Sequence, residues 1–217
     1  MHSKFIIADQ RHFYLGSANL DWRSLNQKME MGVLARDCPS LASDLASVFE
    51  SYWQAATVTN KSTLHGMIQR LPPVKLTADI PVGVKSGTGG VKGQVYLAAS
   101  PPFMNQPSRE WDLDAILGLI RRAKTHIYIN VMDYFPVFLY SDRYSEAEEG
   151  QGDGVRQYWP KIDDALRAAI LRGVDMRIIT AAIHHPQLGM RFMRSLQGLS
   201  GVDNHTGRVE VKIFKVG

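Results

Sequence analysis

Two residues near the start of the chain, His2 and Lys4, are spaced to act together. Residues 4–9 (KFIIAD) read as a short buried strand, and strand side chains alternate between faces, so His2 and Lys4 share one. An imidazole serves as nucleophile or proton shuttle, and an ammonium beside it can hold a phosphoryl oxygen. The pair therefore suits an anionic substrate; the plainer alternative is an exposed strand tip. By the same alternation Asp9 falls on the opposite face at the strand end, where it is expected to brace the turn without touching substrate. Gly16-Ser17-Ala18-Asn19 is a loop by composition. Its glycine lets backbone approach an anion closely, and Ser17 and Asn19 bring a hydroxyl and an amide that donate to phosphate oxygens. Glu30, read as part of the next strand, can accept the Nδ1 proton of His2 and leave Nε2 reactive; otherwise it is a solvated strand-face charge.

The elements that must hold these groups are legible as an alternation of strands and helices. A turn at Gln10-Arg11 leads to a strand over 12–15, and residues 29–35 read as a third strand. Pro39 opens a helix on which Leu41, Leu45, Val48, Phe49, Tyr52 and Trp53 form one apolar stripe. Residues 57–93, with Pro72-Pro73, Pro81, Gly83 and four later glycines, predict a long irregular connection. Beyond it come a strand at 94–100, a helix capped by Asp112, a strand at 126–131, an exposed loop at 141–157, a helix around 162–170, a strand at 175–182, a helix at 187–199 and a strand at 209–216. The pattern predicts an α/β sandwich with a largely mixed sheet. Its catalytic segment would occupy residues 1–56, and a second half residues 94–217.

Composition narrows the class. The chain has 217 residues, 25 Lys plus Arg against 21 Asp plus Glu, and 45% hydrophobic residues, values of a globular chain and not of a disordered one. No apolar run reaches the roughly 18–20 residues of a membrane span, and no signal peptide opens the sequence. The charge excess of +4 is only a mild hint of an anionic partner. The single cysteine, Cys38, excludes an internal disulfide and suggests a reducing compartment, whereas the sequons at Asn60 and Asn204 suggest a glycosylating one.

The opening run resembles the phospholipase D superfamily. His2, Lys4 and Asp9 complete its His-x-Lys-x4-Asp signature, and Gly16, Ser17 and Asn19 its Gly-Ser-x-Asn element. The fuller string HFYLGSANLDWRS at 12–24 is similar to the lysosomal 5′-to-3′ exonuclease branch, as are ASPP at 99–102, VMDYFP at 131–136, YWPKIDDALR at 158–167 and DNHT at 203–206. The resemblance implies phosphodiester cleavage without a metal or other cofactor, through a phosphohistidine, by two motifs meeting across a pseudo-twofold. It implies His2 as one of two histidines, Lys4 and Asn19 on phosphate with Ser17 assisting, Glu30 orienting the imidazole, and Asp9 as a structural partner. It makes Cys38 one half of a disulfide whose partner lies upstream. The substrate it implies is single-stranded nucleic acid in an acidic endolysosomal or endoplasmic-reticulum lumen, with phospholipid head groups as the alternative.

The sequence departs from that pattern in one large respect. His12, His65, His126, His184, His185 and His205 all lack a lysine two residues later, so no second motif is present. The branch cysteine expected near Ala181-Ala182 is also missing. The chain is therefore expected to be an internal piece of a longer, membrane-anchored protein whose second motif follows Gly217. The competing expectations are a homodimer that pairs two copies of His2, and a non-catalytic relative that kept half a site. Among other candidates, His184-His185-Pro186 lacks further ligands at metal spacing, and Gly87-Thr88-Gly89-Gly90 lacks the lysine of a phosphate loop. Trp111, Trp159, Tyr128 and Tyr134 are candidates for stacking on bases, with burial in the core as the plainer reading.

Overall fold

A period of two sets the first sheet. The computed structural model describes residues 2–85, 90, 92–137, 158–181 and 186–214. In it β1 (Lys4–Ala8) pairs antiparallel with β2 (His12–Gly16), and β2 with β3 (Gly32–Ala35). Phe5, Ile7, Phe13, Leu15 and Ala35 turn to one side of this sheet and pack with Leu41, Ala42 and Leu45. The turn falls one residue earlier than expected. Asp9 and Gln10 both take positive φ, 53° and 50°, and the Arg11 N–H donates to the Ala8 carbonyl at 3.0 Å, the pattern of a type I′ hairpin turn. β3 starts three residues later than predicted. A short helix, α1 (Trp22–Gln27), fills the preceding stretch, capped by the Asp21 carboxylate on the Ser24 N–H at 2.8 Å.

The sheet rests on α2 (Pro39–Ala55), with Pro39 in its first turn. Its buried residues are Leu41, Ala42, Asp44, Leu45 and Ser51, so the helix is rotated from the expected stripe. Phe49 and Trp53 stay largely exposed and stack on each other at 5.8 Å. The reason is Asp44, which faces inward because Arg109 neutralises it there: Nη1 donates to Oδ2 at 2.7 Å and Nη2 to Oδ1 at 2.9 Å. Arg109 also donates to the Leu97 carbonyl and to Ser47 Oγ.

The stretch predicted as irregular, 57–93, contains regular elements. Asn60 accepts the Thr63 N–H and caps α3 (Lys61–Ile68), which buries Leu64 and Ile68. A hairpin of β4 (Val82–Lys85) and β5 (Lys92–Val95) follows, and Ala99 then forms an isolated bridge with Trp111. Each element is too short for periodicity to show among the prolines and glycines.

The chain divides into two compact units, Met1–Ala115 and Ile116–Gly217. α4 (Asp112–Arg122) begins on Asp112, which lies in its first turn and not in the cap. In the second unit β6 (His126–Val131), β7 (Asp175–Thr180) and β8 (Val209–Ile213) are parallel, with α5 (Lys161–Leu171) and α6 (Pro186–Gln197) in the crossovers. Leu166, Ile170, Met176, Ile178, Met193, Leu196 and Val209 form its core. The class is α/β as predicted. Among the described residues, parallel and antiparallel pairing occupy separate sheets. The expected loop at 141–157, His184-His185, Gly87-Thr88-Gly89 and the strand end at Val216 lie outside the described residues.

Candidate active site

β1 places the first two motif residues as alternation requires. Lys4 Nζ lies 3.0 Å from His2 Nδ1 and 3.3 Å from Nε2, in an exposed setting. Lysine can only donate, so the imidazole accepts. Both side chains stand on the face of the sheet opposite the α2 core, since Phe5 and Ile7 take the buried face. Asp9 occupies the left-handed turn, where an aspartate is tolerated better than most residues. It is thus a turn residue, at the far end of β1 from His2.

The Gly-Ser-x-Asn loop is tied down from beneath. Ala18 is buried, and the Ser17 N–H donates to the Met31 carbonyl at 3.0 Å. The Ser17 hydroxyl closes the same link from its side chain, accepting the Met31 N–H at 3.1 Å and donating to the Met31 carbonyl at 3.3 Å. In this structure Ser17 fastens the loop to the approach of β3, while Asn19 stands exposed at the tip. Glu30 lies two residues before β3 and not inside it, and among the described residues no hydrogen bond joins it to His2. Hydrogen bonding from Ser24, chiefly through its backbone, holds the Asp21 carboxyl below its ordinary range.

Two features around this hairpin, one on each side of the sheet, were not read from the sequence. Tyr14 lies across Gly16 and Gly32: a Cβ added to Gly32 would fall 2.5 Å from both Cζ and Oη of the ring. The glycines are therefore needed as bare backbone under an aromatic ring, a requirement that only the register Tyr14–Leu34 and Gly16–Gly32 reveals. The second is an open cavity of about 980 Å³ on the other side of β1, lined mainly by apolar groups including Phe5, Leu45, Tyr52, Leu97 and Phe103, with His2 on its wall.

The match to known proteins covers this whole arrangement. The family model described as "PLD3/4, PLD-like domain" fits residues 1–217. The chain belongs to that family. It is 37% identical over 219 residues to the 5′-3′ exonuclease PLD3 of Macaca fascicularis and 38% to that of Bos taurus, covering 100% of this chain and 41% of each relative. It is 36% identical over 224 residues to the 5′-3′ exonuclease PLD4 of Mus musculus, covering 100% of this chain and 40% of that relative. The chain thus spans about two fifths of the length of these PLD3/4 relatives.

The remaining candidates distribute as follows. Asn60 and Asn204 are exposed, one capping α3 and the other in a turn where the Asp203 carboxylate accepts the His205 and Thr206 N–H groups. Cys38 is half-buried at the start of α2, its N–H donating to the Arg11 carbonyl. Tyr134 is not presented for stacking, because its hydroxyl donates to buried Asp163 at 2.5 Å. Tyr158 and Arg167 also donate to Asp163. Tyr128, in contrast, is 67% exposed and stacks on His126 at 4.9 Å, with the Arg177 guanidinium 5.9 Å from its ring. Arg121 and Arg122, at the end of α4, are exposed. Among the described residues, no three His, Cys, Asp or Glu side chains gather to hold a metal, and no helix is long and apolar enough to cross a membrane.

Proposed function

We propose that the protein containing this chain is a phosphodiesterase that degrades single-stranded nucleic acid from its 5′ end. The observation that carries this reading is the His2–Lys4 contact of 3.0 Å on the exposed face of the first hairpin, in a chain whose 36–38% identical relatives are named 5′-3′ exonucleases. His2 is one of two histidines. One attacks phosphorus through a ring nitrogen, forming an N–P bond as the bond to the leaving oxygen breaks. The other protonates that oxygen, then takes a proton from the water that hydrolyses the phosphohistidine. Lys4 and Asn19 offset the phosphoryl charge, so the step needs no metal ion. Glu30 orients His2, a role in which its carboxylate replaces Lys4 Nζ at Nδ1. The second motif comes from the same longer polypeptide, anchored to a membrane and facing an endolysosomal lumen, or from a second subunit. Asn60 and Asn204 are then glycosylation sites, and Cys38 pairs with a cysteine outside the chain.

The test is hydrolysis of a 5′-labelled single-stranded oligonucleotide by the intact protein and by His2→Ala. Loss of a covalent catalyst should slow turnover by at least about a thousandfold. A His2→Ala protein that keeps its rate rules out this histidine. The apolar cavity beside His2 favours a second reading, cleavage or exchange of phospholipid head groups. Vesicles of phosphatidylcholine, given alone and then together with the oligonucleotide, separate the two: head-group release that the oligonucleotide suppresses supports the lipid reading, and no release from vesicles alone overturns it.

A further inference from the structure

The hydroxyl of Tyr14 is a donor on the motif face that the chemistry above leaves unused. Directly paired residues of an antiparallel sheet point to the same side. Ile6 pairs with Tyr14 and Lys4 with Gly16, so Tyr14 shares the face of Lys4 and, by alternation, of His2. Its ring lies flat along the sheet. A Cβ on Gly16 would fall 2.7 Å from Cζ and closer still to Oη, and one on Gly32 would fall 2.5 Å from both atoms. The phenol therefore leaves its own row, Ile6–Tyr14–Leu34, and ends in the row Lys4–Gly16–Gly32. It is half-buried there and makes no hydrogen bond to any described residue. A tyrosine hydroxyl partly withdrawn from water normally has a partner. The motif's own hydroxyl, Ser17, is already committed to Met31.

We infer that Tyr14 is a phosphate ligand of this site, its hydroxyl donating to a non-bridging oxygen of the phosphoryl group that Lys4 attracts. Gly16 and Gly32 are required as glycine because any side chain would lift the ring and carry the hydroxyl away. The assignment deepens the phosphodiesterase reading and rests on it for the identity of the anion.

The probe is inorganic phosphate, titrated into the intact protein while the ring resonances of 13C-labelled tyrosine are followed by NMR. Saturable movement of the Tyr14 signals is expected in the wild type. Tyr14→Phe keeps the ring on its glycines and removes only the donor. It should weaken phosphate binding by about 10-fold or more, the range of a hydrogen bond to a charged acceptor, with the melting temperature unchanged. Wild-type affinity in Tyr14→Phe overturns the assignment, and so does a wild-type titration that leaves the Tyr14 signals still, a result that needs no variant. The oligonucleotide assay with His2→Ala is read separately. If that variant keeps its activity while Tyr14→Phe loses phosphate affinity, the nuclease mechanism fails and the phosphate site stands.

Discussion

Arg109 grips the Asp44 carboxylate with both terminal nitrogens, at 2.7 and 2.9 Å, in a pair whose side chains are 1% and 6% exposed. The link joins α2, on which the motif sheet rests, to the stretch that leads into α4. A buried pair of this kind contributes little compared with apolar residues of the same shape, yet breaking it strands a charge. Arg109→Met alone should therefore destabilise the protein by about 3–5 kcal/mol, measured by urea denaturation. The double variant Asp44→Leu/Arg109→Met should recover most of that loss. A single variant as stable as the wild type would show that the carboxylate finds other partners.

Tyr134 gives the protein a predictable alkaline limit. Burial, together with its hydrogen bond to Asp163 and the charge of that carboxylate, raises the phenol well above its ordinary value of 10.0. The folded state thus holds the proton that the unfolded chain releases above about pH 10. Stability from this group is intact below pH 10 and falls as pH rises beyond it, by up to about 1.4 kcal/mol per pH unit. Tyr134→Phe should lose about 2 kcal/mol at pH 7 for the missing bond to a buried carboxylate, and its denaturation midpoint should fall less steeply above pH 10. An identical alkaline slope in both proteins would sink the assignment.

What the sequence disclosed, and what it hid, follows from where each constraint is local. Strand alternation placed His2 and Lys4 on one face, and the structure has them in contact, because both residues sit on a single strand. The α2 helix was legible from Pro39 and its period, but not its rotation, since Asp44 turns inward only through Arg109, 65 residues away. Asp163 was not singled out in the sequence: its i,i+4 partner Arg167 is local, but Tyr134 and Tyr158, converging from outside the helix, are what make it a buried hub. The role of Tyr14 needed the register of three strands, which no single segment encodes.

Asp21 fixes the start of α1 directly after the Gly-Ser-x-Asn loop, so its loss should loosen the loop that carries Asn19. Asp21→Ala should lower the melting temperature and Asp21→Ser, which keeps a capping oxygen, should restore most of it. Because the carboxyl titrates below its ordinary value of 3.8, the cap's added stability is present above that pH and disappears as pH falls below it. The gap between wild type and Asp21→Ala in thermal melts should therefore narrow in strong acid. A gap that stays constant down to pH 2 would mean that the charge contributes nothing.

Gly32 tests the packing of the motif face apart from any chemistry. An alanine there would drive its Cβ into the Tyr14 ring, and overpacking of this kind costs about 1–3 kcal/mol. Tyr14→Ala removes the ring and should cost a comparable amount through lost burial. If the ring lies on Gly32, the two changes are not independent, because removing the ring removes the three atoms nearest to the added Cβ. The double variant Tyr14→Ala/Gly32→Ala should then be more stable than the sum of the single losses predicts, by roughly 1–2 kcal/mol of coupling. Strict additivity in chemical denaturation would place the ring elsewhere. The phosphate titration would then have to find its hydroxyl donor on another residue of this face.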